Sequence, residues 1–281
     1  MRFSGSGGGH HQQQYLSSSS ELILPKFQTA YSNIEDRRKR RILTFDIEKI
    51  NSCISLSAED CICIVGERKH TNAILMRLCV RALLKLRKEQ SELLEDSEKK
   101  VIFIDAGGGK SSDIYQCVNF ARQYYGIDIK KVLQSILVTR AFTIYQLADL
   151  LIYQLPRIIQ QLLEAKVIVV IADLLDLFTQ DPSIDQDEAI YLIKEIINSI
   201  KKTLDNTLVV VSFQSNDHHR KSYAYDKILL PRFDKRIEII NNSDSKINLL
   251  DVKVYSNKYT KNCSRSLVLE ERDLLIISAP K

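Results

Sequence analysis

Cys61-Ile62-Cys63-Ile64-Val65-Gly66-Glu67-Arg68-Lys69-His70-Thr71 opens with a continuous apolar run, breaks at a glycine and passes into a helical period. A short apolar run without polar alternation reads as a strand covered on both faces. Cys61–Gly66 is the first such run, and the pattern recurs at Val101–Ala106, Ile136–Thr139, Val167–Asp173 and Leu208–Phe213. Helical periods lie between them at Thr71–Lys88, Ser111–Tyr125, Ile144–Glu164 and Gln186–Leu204, with Pro156 expected to kink the third. Strands alternating with long helices predict an α/β domain with a mainly parallel sheet flanked by helices. After Phe213 the helical period stops. Arg236–Ile240, Ile247–Tyr255, Ser266–Glu270 and Leu274–Ser278 are expected to add an antiparallel extension at the C-terminal end.

Outward from this core, residues 43–281 read as one domain. Residues 1–20 (MRFSGSGGGHHQQQYLSSSS) are low in complexity and are expected to be a disordered tail; His10-His11 there lacks further metal ligands in sequence. Residues 21–42 read as a linker ending in the basic run Arg37–Arg41. The chain of 281 residues is 44% hydrophobic and 27% charged, and contains no apolar run of membrane-spanning length, so no membrane partner is expected. Six cysteines without a CxxC pair read as buried, reduced thiols of an intracellular protein. The net charge of +5 is unevenly placed: residues 1–41 and 212–281 each carry +4, and the middle carries −3.

Parallel α/β domains bind ligands at the carboxyl ends of their strands. A phosphate-binding loop of the form GxxxxGK[ST] is expected after the first strand, its backbone N–H groups wrapping phosphate and its Lys and hydroxyl serving phosphate and Mg²⁺. Gly66 is present there, but Thr71, Asn72 and Ala73 stand in the places of the second Gly, the Lys and the Ser/Thr. Glu67, Arg68 and Lys69 lie between, and the two bases offer an anion a place at the helix start. Gly108-Gly109-Lys110-Ser111, after the second strand, reads either as an anion loop or as an ordinary strand-to-helix turn capped by Ser111 or Ser112. Asp173 ends the fourth strand, where it can either orient Mg²⁺ or cap a turn.

Taken together these segments resemble the core of the RecA/RadA recombinase superfamily, most closely an archaeal or eukaryotic-type recombinase paralog. Val101–Leu151 carries the resemblance best: a strand ending Ile-Asp, a helix ending Ala121-Arg122-Gln123-Tyr124-Tyr125-Gly126, then Val132-Leu133, Thr139-Arg140-Ala141-Phe142-Thr143 and Gln146. Gln214 stands where the family has a phosphate-sensing glutamine, so Gly66, Glu67, Arg68, Lys69, Asn72, Asp173 and Gln214 form the remnant of a nucleotide site. The resemblance implies a RecA-like core, with ATP and Mg²⁺ as the cofactors of its relatives. It also matches Phe27-Gln28-Thr29-Ala30 to the family's Phe-x-x-Ala motif, implying that Phe27 and Ala30 dock on a recombinase protomer or on another copy of the chain.

The departures bear on activity. The loop lacks its Lys and Thr, and Gly107 stands where the family has its catalytic glutamate, so no catalytic residue is assigned. The first DNA-binding loop of the family corresponds to Thr179–Glu188, which is acidic and should repel phosphate. The second corresponds to Ser212–Arg236. Its part from 218 to 236 holds six bases and two acids, and His218, Arg220, Lys221, Tyr223, Lys227, Arg232, Lys235 and Arg236 are the candidate contacts to single-stranded DNA. The expected function is a DNA-binding accessory protein in homologous recombination or repair without efficient ATP hydrolysis. A DNA-dependent ATPase built on Lys69, Lys110 and Asp173, or a structural module for protein contacts, are the alternatives. The expected place is the archaeal cytoplasm, beside the nucleoid, or the nucleus if the chain is eukaryotic.

Overall fold

The apolar runs are strands, and in four of them every residue is buried: β3 (Cys61–Val65), β4 (Val101–Asp105), β6 (Val167–Ala172) and β7 (Thr207–Phe213). The computed structural model describes residues 41–90, 101–109, 114–162, 167–203, 207–214, 220–242, 248–256 and 263–275. A small ribbon of β1 (Arg41–Leu43) and β2 (Leu56–Ser57), with α1 (Glu48–Cys53) between them, precedes β3. α2 (Arg68–Gln90), α3 (Ile114–Tyr125), α4 (Ile129–Ser135) and β5 (Ile136–Arg140) complete the first half. The tail at 1–20, Phe27, Ala30 and the linker as far as residue 40 lie outside the described residues.

The third helical period forms α5 (Ile144–Asp149), a π-helical turn at Leu150–Gln154 and α6 (Leu155–Gln161). Pro156 is the cause. It brings no N–H to the i−4 ladder, and the wider turn before it absorbs the defect at the start of α6. α7 (Asp176–Gln180) and α8 (Gln186–Lys202) follow β6. The acids expected to repel phosphate serve local geometry: Asp181 accepts from Ser183 N at 2.8 Å, and Asp185 caps α8 by accepting from Asp187 N at 2.9 Å.

The segment after Phe213 departs from the sequence reading. The expected basic loop contains a helix, α9 (Arg220–Leu229), and a 3₁₀ turn at Leu230–Arg232. β8 (Lys235–Asn242), β9 (Leu249–Ser256) and β10 (Cys263–Glu270) then form the antiparallel extension. The strand expected at Leu274–Ser278 begins instead as the last residue of a helical turn, α10 (Glu271–Leu274); residues from 276 on lie outside the described part.

One sheet takes the order β10-β9-β8-β3-β7-β6-β4-β5. The six strands from β8 to β5 are parallel to their neighbours, and β9 and β10 are antiparallel additions. Alternate strand residues feed two cores. Ile62, Ile64, Phe103 and Val210 pack with α2 and α3 on one face. Cys61, Cys63, Ile104 and Val211 pack with α5, α6, α8 and α9 on the other. Right-handed crossovers explain the division, because a chain winding outward along a sheet must place its helices on the face opposite to one winding back. β3 sends its helix to the first face, whereas β6 and β7 send theirs to the second. The winding therefore reverses at the carboxyl ends of β3, β7, β6 and β4, which opens a crevice there.

Cys61, Cys63, Cys79 and Cys117 are buried free thiols. Burial pushes Cys61 up to about 12, and Cys63 is raised well above the usual thiol value for the same reason. Among the described residues no helix is long and apolar enough to cross a membrane.

Candidate functional site

Three strands deliver polar groups to the crevice. β3 leads through Gly66 and Glu67 directly into α2 at Arg68, so only two residues separate strand from helix. A phosphate-wrapping loop needs several residues whose N–H groups converge on the anion. Thr71, Asn72 and Ala73, which align with its second half, lie inside the first turns of α2 instead, with Thr71 and Ala73 buried. Gly66 has a packing reason to be glycine: a Cβ there would stand 2.9 Å from the Ile239 carbonyl oxygen and 3.1 Å from Ile239 Cβ on β8.

Arg68 fills the crevice. Its Nε donates to Asp173 Oδ2 at 2.8 Å, and its Nη2 pairs with Asp176 Oδ2. Asp173, just past β6, is wholly buried and sits at φ +53°, a left-handed conformation that a non-glycine residue adopts at a cost. Its backbone N–H donates to Ser212 Oγ of β7 at 3.0 Å, which fixes the turn. Gln214 closes the group from the end of β7, where its Oε1, turned to meet donors, lies 2.6 Å from Arg68 Nη2 and 3.0 Å from Nε. The remnant residues Arg68, Asp173 and Gln214 therefore do meet, joined by Asp176, which the sequence reading had not singled out.

The group does not suit Mg–ATP. A divalent ion would need the Asp173 and Asp176 oxygens that Arg68 engages, and the two-residue connection leaves no wrapping loop for phosphates. Asp105, at the end of β4, accepts from Gly107 N at 3.1 Å and has Arg140 Nε 3.4 Å from its other oxygen. Gly108 and Gly109 form a turn with φ of +67° and +86°, which only glycine enters freely. Lys110 and Ser111 lie outside the described residues.

On the other flank of the first turn of α2, Lys69 Nζ lies 2.8 Å from Glu271 Oε1 and 3.4 Å from Glu67 Oε2. His70 is wholly buried, and its Nε2 is 2.7 Å from the same Glu271 oxygen. Asn248 Nδ2 donates to Glu271 Oε2 at 2.9 Å. Hydrogen bonds from Lys69 first, and from His70, hold the Glu271 carboxyl down at about 2.

The candidate DNA contacts are dispersed. Arg220, Lys221, Tyr223 and Lys227 lie on α9, and Lys227 is exposed. His218 lies outside the described residues. Arg232 Nη1 donates to Asn198 Oδ1 at 2.9 Å. Lys235 is a correction to the sequence reading. It is buried at the start of β8, donates to the Ser55 carbonyl at 2.6 Å and pairs with buried Asp60, so it is not available to a nucleic-acid backbone. Arg236 stacks its guanidinium 3.9 Å from the Tyr255 ring centroid and pairs with Glu238 at 3.1 Å. Tyr225, two positions after the candidate Tyr223 on α9, is buried against Phe178.

Among the described residues no cluster of His, Cys, Asp and Glu has the makeup of a metal centre. No protein-family model matches the chain, and no curated protein matches it.

Proposed function

We propose that the chain is a recombinase-paralog-like protein on a RecA-like core, serving homologous recombination or repair by binding single-stranded DNA and a recombinase protomer, without an ATPase cycle of its own. The observation that carries the loss of hydrolysis is Arg68 pairing with Asp173 and Asp176 beside Gln214. A guanidinium held by two carboxylates removes from the crevice the anionic oxygens that a metal would take. Gly107 adds to this, since a glycine cannot activate water. The mainly parallel sheet with an antiparallel C-terminal extension is the architecture that the resemblance implies, and the crevice at the reversal of winding is where it would hold its ligand.

DNA contact falls to α9, whose first turns carry Arg220, Lys221 and Tyr223, with Lys227 further along. Phe27 and Ala30 are the proposed protomer anchors. Titrating a fluorescent ATP analogue with and without single-stranded DNA tests the reading. DNA binding that weakens with salt, together with no ATP turnover, is expected. DNA binding unchanged after Arg220→Glu and Lys221→Glu overturns the nucleic-acid half, and ATP turnover overturns the other.

A second reading, a structural module for protein contacts alone, is favoured by the fate of three candidate bases. Arg232, Lys235 and Arg236 are all engaged by their own chain. Retained recombinase binding that Phe27→Glu abolishes, without any DNA binding, selects it.

A further inference from the structure

The Glu271 carboxylate is an anion seated in a cradle of donors from two parts of the fold. Lys69 and His70 come from the first turn of α2, and Asn248 comes from the residue before β9. The carboxylate only accepts, so His70 Nε2 must carry the hydrogen of that contact. The other ring nitrogen, Nδ1, is buried and has no hydrogen-bond partner among the described residues. A buried imidazole with one nitrogen unmet is a cost, and it is tolerated where the other nitrogen is committed to a strong charge-assisted bond. The cradle is thus built around an oxyanion, at the amino end of a 23-residue helix whose dipole favours negative charge.

We infer that Lys69, His70 and Asn248 form a phosphate-oxyanion site that Glu271 occupies as an internal competitor, so that a phosphate group binds there by displacing the Glu271 side chain. The inference goes beyond the recombination reading and does not depend on it. The turn carrying Glu271 has its own anchors. Arg77 donates to the Leu274 carbonyl at 3.2 Å and to the Asp273 carbonyl at 3.1 Å, and Leu274 is wholly buried. The Glu271 side chain can therefore leave while α10 stays in place, and Lys69, half exposed, opens the way to solvent. A doubly charged phosphate gains more from the cradle than the singly charged carboxylate does. The tethered carboxylate, in turn, holds the advantage of effective concentration.

The probe is inorganic pyrophosphate, titrated calorimetrically at constant ionic strength against the full chain. Glu271→Ala is expected to bind it at least tenfold more tightly than the unmodified chain, and the added substitution Lys69→Ala is expected to erase the gain. Glu271→Gln keeps the shape of the turn without the charge and is expected to show a smaller gain of about threefold. It stands in for Glu271→Ala should that variant not unfold cooperatively. Equal pyrophosphate affinity in the unmodified chain and in the folded Glu271 variant overturns the inference, as does a gain that survives Lys69→Ala. A short thymidine oligonucleotide serves as the second arm: a gain there but not with pyrophosphate assigns the effect to general relief of negative charge and also overturns it. Neither failure touches salt-sensitive DNA binding through Arg220 and Lys221, so the two readings fail separately.

Discussion

Arg68 Nε lies 2.8 Å from Asp173 Oδ2, linking the first turn of α2 to the end of β6 across 105 positions of sequence. The Asp173 side chain is wholly buried and that of Arg68 is about one third exposed. Arg68→Ala removes the guanidinium that pairs with Asp173 and nearby Asp176. Breaking such a pair in a buried setting costs about 3–5 kcal/mol, and the partial exposure of Arg68 brings the expected loss to about 2–3 kcal/mol. Urea unfolding at neutral pH measures it. Added Mg²⁺ or Ca²⁺ should stabilise Arg68→Ala and leave the unmodified chain unchanged, because the guanidinium that competes with a cation for Asp173 and Asp176 is gone only in the variant.

That relationship marks where sequence reading stops. β3, β4, β6 and β7 were legible because strands buried on both faces must be apolar throughout. α9 was not, because the buried Tyr225 and Leu229 stand among charged and polar residues in RKSYAYDKIL, which reads in sequence as a charged loop. Arg68, Asp173 and Gln214 were each visible as residues at strand ends. Nothing in one sequence says that the first would neutralise the second, since the crossovers that join them are set by the whole sheet. Glu271 was missed for the same reason, lying 201 positions from His70. Lys235 was misread because a base near the start of a strand looks exposed until its buried partner, Asp60, is located.

Glu271 should make stability depend on acid pH. Its carboxyl lies at about 2 in the folded chain against an ordinary 4.5, so the folded state binds the proton less readily than the unfolded state. The stability from this contact is fully present above about pH 4.5 and is lost as pH falls toward 2. Lys69 shifts upward, chiefly through its hydrogen bond to Glu271, so its share fades only as pH rises beyond the ordinary lysine value. Urea midpoints between pH 5 and pH 2 should therefore fall less steeply in Glu271→Gln than in the unmodified chain.

Gly66 separates a packing role from a ligand role. Gly66→Ala puts a methyl group 2.9 Å from a backbone oxygen of β8, and backbone cannot swing aside as a flexible side chain does. β3 and β8, which pair in parallel through Val65 and Glu238, must then part locally. The expected cost is about 1–3 kcal/mol. It appears as a lower thermal midpoint whether or not nucleotide or phosphate is added. A glycine kept only for phosphate contact would leave the midpoint unchanged.

Ser199 and Pro156 provide the remaining test, in the second core. Ser199 Oγ on α8 donates to the Leu151 carbonyl at 3.0 Å and approaches the Ile152 carbonyl at 3.3 Å. Those are the carbonyls five and four residues before Pro156, the ones its absent N–H would have served. The hydroxyl thus repairs a vacancy that the proline creates, beside a cavity of about 450 Å³ lined by Ile152, Pro156, Ile159, Asn198, Ser199 and Lys202. Ser199→Ala removes the only side-chain donor found among the described residues for these two acceptors, one buried and one part-buried, and is expected to cost about 1–3 kcal/mol. Pro156→Ala restores a backbone N–H at the same place, so Ser199→Ala should cost distinctly less in that background. A double-mutant cycle by urea unfolding reads the difference. Equal costs in the two backgrounds would mean that Ser199 only packs between the helices, and that the π-turn satisfies its own carbonyls.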